Sequence, residues 1–455
     1  MPYLARARRP CRTGRVTASL ETPAAPAPAA PPDPAAHAAA AGVPDGAAVD
    51  AAAVLADARA HLVPGVADRH RIIGGGGIET AGDGARVRLS NGRSALDFGS
   101  YAVTLFGHRP PSVVAAVHRA LDGLPTSTRL LANPHAAGLA ARLAALVDPG
   151  RLERVCLGLN GSDAVEAALK LAIARTGRPA ILAVEGAFHG KSMGALAATF
   201  DPVRRGPLAG FLGDVRHLPP EPAAVARALA DEPAAALIVE PVQGEGGGRI
   251  LPPDLLRRWA RDAHDAGTYV IADEIQCGLR RCGPVSLSVA HGMRPDAVLL
   301  GKPLGGGVMP LSAAVCTEDL FRPLLDDPYF HTATFGGHPA SCAAGIAALD
   351  LLDDLPFDAV AADLAAGIAG LAGRHGGVLA DVRSVGLFAA LQFRSPDRAG
   401  LAVLEAGRRG LLLAQCLTAP DVVRVLPPVV ATPDELAEGL SILDAACRAV
   451  ARRHP

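Results

Sequence analysis

Lysine is nearly absent: Lys170, Lys191 and Lys302 are the only three in a chain whose lysines and arginines together number 44. Arginine therefore carries the surface positive charge, and each lysine needs its own explanation. An excess of charge is missing as well. The formal net charge is −1, so nothing points to nucleic acid or another polyanionic partner. The eight cysteines (Cys11, Cys156, Cys277, Cys282, Cys316, Cys342, Cys416, Cys447) include no CxxC pair. That pattern argues against a zinc site or a disulfide framework and suits free thiols in a reducing compartment, the cytoplasm. No apolar run is long enough to span a membrane. No Walker loop occurs and no GxGxxG follows a strand, which leaves nucleotide binding without support. Glycine (50) and proline (39) together stay below the share of roughly 25–30% that marks low-complexity chains.

What is present is length and apolar content. At 455 residues, half of them apolar, the chain can bury a large core, with two or three domains expected. Residues 1–50 read as a disordered tail, Arg-rich and then Ala/Pro-rich, because such a tract buries too little surface to fold. The same opening also resembles an organelle transit peptide. A helix is expected from about Asp50. The run RVRLSNGRSALDF reads as a hairpin turning at Asn91-Gly92, and a helical pattern follows Pro111. From Arg151 onward, short apolar runs (VCLGL, PAILAVEG, ALIVEP, TYVIADE, AVLLGK) alternate with helices. That alternation predicts an α/β large domain whose mostly parallel sheet is sandwiched by helices. Residues 346–455 read as a smaller α+β domain, to which residues 51–110 also contribute; residues 111–345 form the large domain.

Ligands in open sheets of this kind bind beyond the carboxyl ends of the strands. Asn160, Gly161, Ser162, His189, Glu240, Asp273 and Lys302 all fall at those ends. The stretch DAVLLGKPLGGGVMP is the most informative: an apolar strand stops at Gly301, presents Lys302 and breaks into Pro303 and three glycines. Burial at such a lip lowers a lysine pKa and leaves the neutral nucleophilic amine that Schiff-base chemistry requires. A solvated strand-end lysine is the plainer reading.

Gly161-Ser162 lies between a strand and a helix expected from about Asp163. Backbone N–H groups there with a serine hydroxyl make a phosphate site; an ordinary serine-capped turn looks the same. Asp273 ends a very apolar strand, so it needs a cationic partner. A protonated pyridine nitrogen and an arginine both qualify, and Gln276 can donate to an oxygen on the same ring. Phe188 can stack on a flat cofactor or belong to the core. A reactive lysine, a phosphate nest, an acidic ring partner and a stacking aromatic are together what pyridoxal 5′-phosphate needs. No metal site is expected.

These residues sit in LFGHRPP, NGSDAVEAALK, GAFHGK, EPVQGEGGG, IADEIQCGLRRCG, LGKPLGGGVMP, HTATFGGHP and VVRVLPPVV. In order and spacing, those motifs resemble the class III (ornithine/4-aminobutyrate-type) pyridoxal-phosphate aminotransferases over roughly residues 70–450. The resemblance implies fold type I and a homodimer with a shared active site. It further implies that Lys302 binds the cofactor aldehyde and shuttles a proton, that Asp273 pairs with the pyridine nitrogen, and that Gln276 contacts the ring hydroxyl. Ile275 and Phe188 would flank the ring, with His189 nearby. Gly161 and Ser162 would hold the phosphate, and Thr334 the phosphate of the neighbouring subunit. Arg424 matches the arginine that binds the substrate α-carboxylate, and Glu245 the glutamate that can neutralise it. The implied reaction moves an amino group from an ω-amino acid, diamine or ornithine-like donor to a 2-oxoacid such as 2-oxoglutarate, in two half-reactions. An aminomutase or epimerase on the same fold, or a non-catalytic scaffold, are the alternatives.

The chain departs from the family pattern at Asn160 (usually serine), Cys277 (usually threonine) and Pro303. Arg86 replaces the usual aromatic of the N-terminal hairpin, and Lys191 stands where arginine is common. Both are expected to point into the substrate pocket, where Arg86 or Lys191 would grip a distal carboxylate or polar group. Tyr101 falls at a position where ornithine-type enzymes carry an aromatic, in a loop one residue shorter.

Overall fold

The computed structural model describes residues 50–453; the expected tail, residues 1–49, lies outside them. Residues 50–453 belong to one compact unit. The chain enters through helices α1 (Ala51–His61), capped by Asp50, and α2 (Pro64–Gly74). An antiparallel meander follows: β1 (Glu79–Asp83), β2 (Arg86–Leu89) and β3 (Ser94–Asp97). Its second turn is the expected Asn-Gly one, with Gly92 at φ +80°, where a side chain would be strained.

The central sheet is built from β4 (Arg154–Gly158), β5 (Ile181–Val184), β6 (Val215–Leu218) and β7 (Ala236–Val239), then, after the short hairpin β8 (Val242–Gln243) and β9 (Arg249–Ile250), from β10 (Tyr269–Asp273), β11 (Ala297–Leu300) and β12 (Ser312–Cys316). Their order is β4-β12-β11-β10-β7-β5-β6. All pairs are parallel except those of β12, which runs antiparallel to both β11 and β4. The inner strands read as unbroken apolar runs because both of their faces are covered: every residue of β5, β7, β11 and β12 is buried. Helix α3 (Gly161–Thr176) packs on one face through Val165, Ala168 and Leu169. The helix of Pro253–Asp265 packs on the other through Leu256, Trp259 and Ala260.

Beyond the sheet, β13 (Leu379–Val385) and β14 (Phe388–Phe393) form a hairpin. β15 (Leu411–Leu412) pairs in parallel with β3, while β16 (Ala414–Gln415) and β17 (Val422–Val425) extend the hairpin sheet in the order β13-β14-β17-β16. The N-terminal meander and the C-terminal part are thus joined by backbone hydrogen bonds. The final helix, α4 (Pro433–Arg453), packs on this part. No single helix among the described residues is long and apolar enough to cross a membrane.

Candidate active site

The carboxyl ends of β4, β7, β10 and β11 converge on a cavity of about 340 Å³. A larger groove near Pro220, Ile250 and Arg258 includes none of the residues that the sequence singled out.

Lys302 follows the last residue pair of β11 and lines the cavity. Its backbone is left-handed, φ +43°, a conformation that costs a non-glycine residue free energy and persists only where the surroundings impose it. Enclosure by protein pulls the amine below the usual lysine pKa, and the nearby carboxylates of Glu245 and Asp273 only partly oppose this. Burial penalises the ammonium form, so the group is biased toward the neutral amine.

Asp273 closes β10 and is 3% exposed. Its Oδ1 accepts the Ile275 N–H (3.1 Å), and its Oδ2 lies 2.7 Å from His189 Nδ1. A carboxylate only accepts, so Nδ1 carries the proton. The buried Nε2 of His189 has no partner among the described residues. His189 is itself fixed by the Thr199 hydroxyl, which accepts its backbone N–H (2.9 Å).

Helix α3 begins at Gly161, two residues earlier than the sequence pattern suggests, because Asn160 is its cap. Asn160 and Asp163 form a reciprocal capping box, the arrangement that fixes a helix start. Gly161 and Ser162 therefore occupy the first turn, where backbone N–H groups point outward without helical partners. The departure from serine at position 160 thus leaves the helix properly capped. Gly161 and Gly301 close around Ile275: a Cβ on either would lie 3.0 and 3.2 Å from its side chain. Phe188, Ile275 and Gln276 all line the cavity.

Behind Glu245 and Gln276, which line the cavity while Arg424 does not, Arg424 on β17 is 1% exposed and pairs through Nη1 with Glu245 Oε1, with Gln276 Oε1 at 3.4 Å. Glu245 Oε2 accepts the Leu417 N–H (2.9 Å), and the Glu245 carbonyl accepts the Thr418 hydroxyl (2.8 Å). The buried Nε of Arg424 has no partner among the described residues.

Lys191 and Tyr101 line the cavity, Lys191 exposed and Tyr101 62% exposed. The expectation for Arg86 is corrected. Its guanidinium pairs with Glu435 (2.8 Å) and Glu438 on α4, and Arg86 does not line the cavity. Two carboxylates one helical turn apart capture the side chain before it can reach the pocket, and these partners raise the Arg86 pKa, Glu438 foremost. Thr334 is exposed and lies outside this chain's own cavity.

Glu240 stands at a strand end, and its sequence context assigns it no role. It is buried between two loops, accepting the Phe188 N–H (2.7 Å) and the Gly244 N–H (3.3 Å). Burial, and then the nearby Asp273 carboxylate, push its pKa well above the usual value. A glutamate directly after the apolar run ALIV was the available signal.

With this geometry in place, comparison with known proteins is decisive. The profile "Aminotransferase class-III" matches residues 78–447. The chain belongs to that family. A putrescine aminotransferase from Pectobacterium atrosepticum is 35% identical over 406 residues, covering 85% of this chain and 86% of its own. An ornithine aminotransferase structure from Toxoplasma gondii aligns at TM-score 0.75 and 28% identity, over 83% of this chain and 91% of that one. A PLP-bound amine transaminase from an uncultivated Pseudomonas species aligns at TM-score 0.75 and 29% identity, over 82% and 94%. The enzyme is a fold type I, pyridoxal-phosphate-dependent transaminase. Its residues fit the cofactor: a neutral-biased lysine, a carboxylate held by His189, free N–H groups at a helix start, and glycines that keep the floor open beside Ile275.

Proposed function

We propose that this aminotransferase takes the terminal amino group of a diamine, ω-amino acid or ornithine-like donor and delivers it to a 2-oxoacid, with 2-oxoglutarate as the acceptor. The observation that carries this reading is the buried Glu245–Arg424 pair. With its charge cancelled, Arg424 offers no anchor to an α-carboxylate, so an unsubstituted ammonium or methylene chain is accommodated at that end. The acceptor's carboxylate has to displace Glu245 to reach the arginine. The substrates named for the similar putrescine and ornithine aminotransferases support the same donor class.

Bound pyridoxal phosphate supplies an aldehyde that takes up the amino group and a ring that withdraws electrons from the donor carbon. The residues assigned to it divide the work. Gly161 and Ser162 N–H groups would hold the phosphate, Asp273 would keep the ring nitrogen protonated, and Gln276 would meet the ring oxygen. Phe188 and Ile275, which both line the cavity, would confine the ring. Lys302 Nζ would hold the cofactor's aldehyde end and would move a proton at the donor carbon. Lys191, at the cavity edge, is positioned for a distal carboxylate of the acceptor.

We further take residues 51–110 and 346–455 as the small domain and 111–345 as the large one, since the central sheet lies wholly within 154–316. A homodimer in the cytoplasm completes the reading. The segments carrying Leu130, Leu131, Tyr329 and Phe335 expose these side chains and are tied together where Asn133 Nδ2 donates to the Gly337 carbonyl (2.8 Å). Thr334 lies among them, where a second copy would bring it to the neighbouring phosphate. The seven described cysteines are all free thiols, as a reducing compartment favours.

The test is a steady-state panel with 2-oxoglutarate. Putrescine, ornithine and 4-aminobutyrate should exceed alanine in kcat/KM by at least tenfold. Preference for alanine overturns the donor reading, and turnover without any oxoacid would indicate isomerisation instead.

A further inference from the structure

The strap that carries Tyr101 is held in an unfavourable conformation. Ser100, Tyr101 and Ala102 have φ of 27°, 51° and 66°, three successive left-handed residues, none of them glycine. Each such residue costs free energy that glycine would avoid. The neighbouring glycine, Gly99, lies outside the left-handed run with φ −122°, so local sequence does not explain the turn. Something must hold it.

Asp97 does. At the end of β3 and 1% exposed, it accepts the Gly99 N–H through Oδ1 (3.0 Å) and the Ser100 hydroxyl through Oδ2, with His108 Nε2 2.8 Å from the same oxygen. Burial alone would raise its pKa, but the bonds from His108, Ser100 and Gly99 outweigh that and hold it below the usual range. His108 is in turn fixed through its backbone, which exchanges hydrogen bonds with Gly84 (2.7 and 3.2 Å). The turn closes on itself where Ala102 N–H donates to the Gly99 carbonyl (3.1 Å) and Val103 N–H to the Ser100 carbonyl (3.0 Å). On the other side, the Phe98 carbonyl accepts the Leu426 N–H (2.8 Å), two residues beyond Arg424. Asp97 does not line the cavity; Tyr101 does.

We propose that Asp97, braced by His108 and Ser100, is a positioning residue that latches the strained turn and so holds Tyr101 against the donor. This rests on the reading of Tyr101 as a donor contact.

Two measurements on the holoenzyme test it. Amide hydrogen exchange across residues 98–104 should accelerate at least tenfold in Asp97→Asn, while exchange in β10 and the cofactor's visible absorbance stay as in the wild type. Kinetics with putrescine then form a double-mutant cycle of Asp97→Asn and Tyr101→Ala. KM should rise about tenfold in either single variant with kcat within twofold, and the double variant should match Tyr101→Ala. Unchanged exchange in the strap, or additive KM effects, overturns the proposal. If wild-type enzyme ignores putrescine, the donor reading fails instead, and the exchange measurement alone decides for or against the latch.

Discussion

Replacing Glu245 with glutamine should convert the donor end of the pocket into a carboxylate site. In the resting enzyme, Glu245 neutralises Arg424, which is 1% exposed. Among the described residues, Gln276 Oε1 at 3.4 Å is its other hydrogen-bond partner, and Arg424 Nε has none. Removing one member of a buried pair costs about 3–5 kcal/mol, because a charge is left uncompensated. Glutamine keeps one acceptor oxygen and the cavity admits water, so about 2 kcal/mol is a reasonable share. A substrate carboxylate placed on Arg424 recovers that amount, and at about 1.4 kcal/mol per tenfold it corresponds to roughly thirtyfold tighter binding. A diamine's ammonium meets an unneutralised guanidinium and binds more weakly. Glu245→Gln is therefore expected to lower KM for 2-oxoglutarate by about thirtyfold and to raise it for putrescine, read by steady-state kinetics with each substrate varied. Unchanged KM for both would refute Arg424 as the carboxylate anchor.

Four other outcomes are expected. Arg86→Ala should leave KM for every donor and acceptor unchanged and alter stability by no more than about 1 kcal/mol, since its partners are partly exposed ion pairs; a KM change would restore Arg86 to the pocket. Asp273→Asn should cut kcat by roughly 10²–10³, the range for losing one preorganised electrostatic partner, and release cofactor on gel filtration. Exchange of Lys191 for Met should raise KM for 2-oxoglutarate while sparing putrescine, measured in the same assay. In cofactor-free protein, Glu240 holds its proton to a higher pH than in the unfolded chain, so its stability contribution is present at low pH. That contribution is lost as pH rises through its raised folded pKa, by at most about 1.4 kcal/mol per pH unit. Glu240→Gln should flatten that decline in urea unfolding curves taken across the pH range.

Much of the architecture was legible because chemistry and pattern coincide at strand ends. An apolar run followed closely by Lys302, Asp273 or Asn160-Gly161-Ser162 locates a crevice without knowledge of strand order. The antiparallel insertion of β12 between β4 and β11 was not legible, since nothing local distinguishes SAAVC from the parallel strands. Long-range pairing was equally hidden. Arg86 reads as a pocket residue by position, and the carboxylates that capture it lie 349 and 352 residues away. The same holds for the adjacent Arg280 and Arg281. Sequence gives no reason why Arg280 lies over the Phe357 ring at 4.8 Å while Arg281 is fully buried, donating to the Leu387 and Pro427 carbonyls. The left-handed turn at Tyr101 was invisible too, because its usual signal, a glycine at the strained position, is absent.

The most direct test of the account exploits the scarcity of lysine. Reducing the yellow holoenzyme with borohydride makes the bond between cofactor and protein permanent, and peptide mass spectrometry then locates it among three candidates. The account predicts a pyridoxyl adduct on Lys302, with Lys170 and Lys191 unmodified. An adduct on Lys191, or none on a protein that nevertheless binds pyridoxal phosphate, would contradict it.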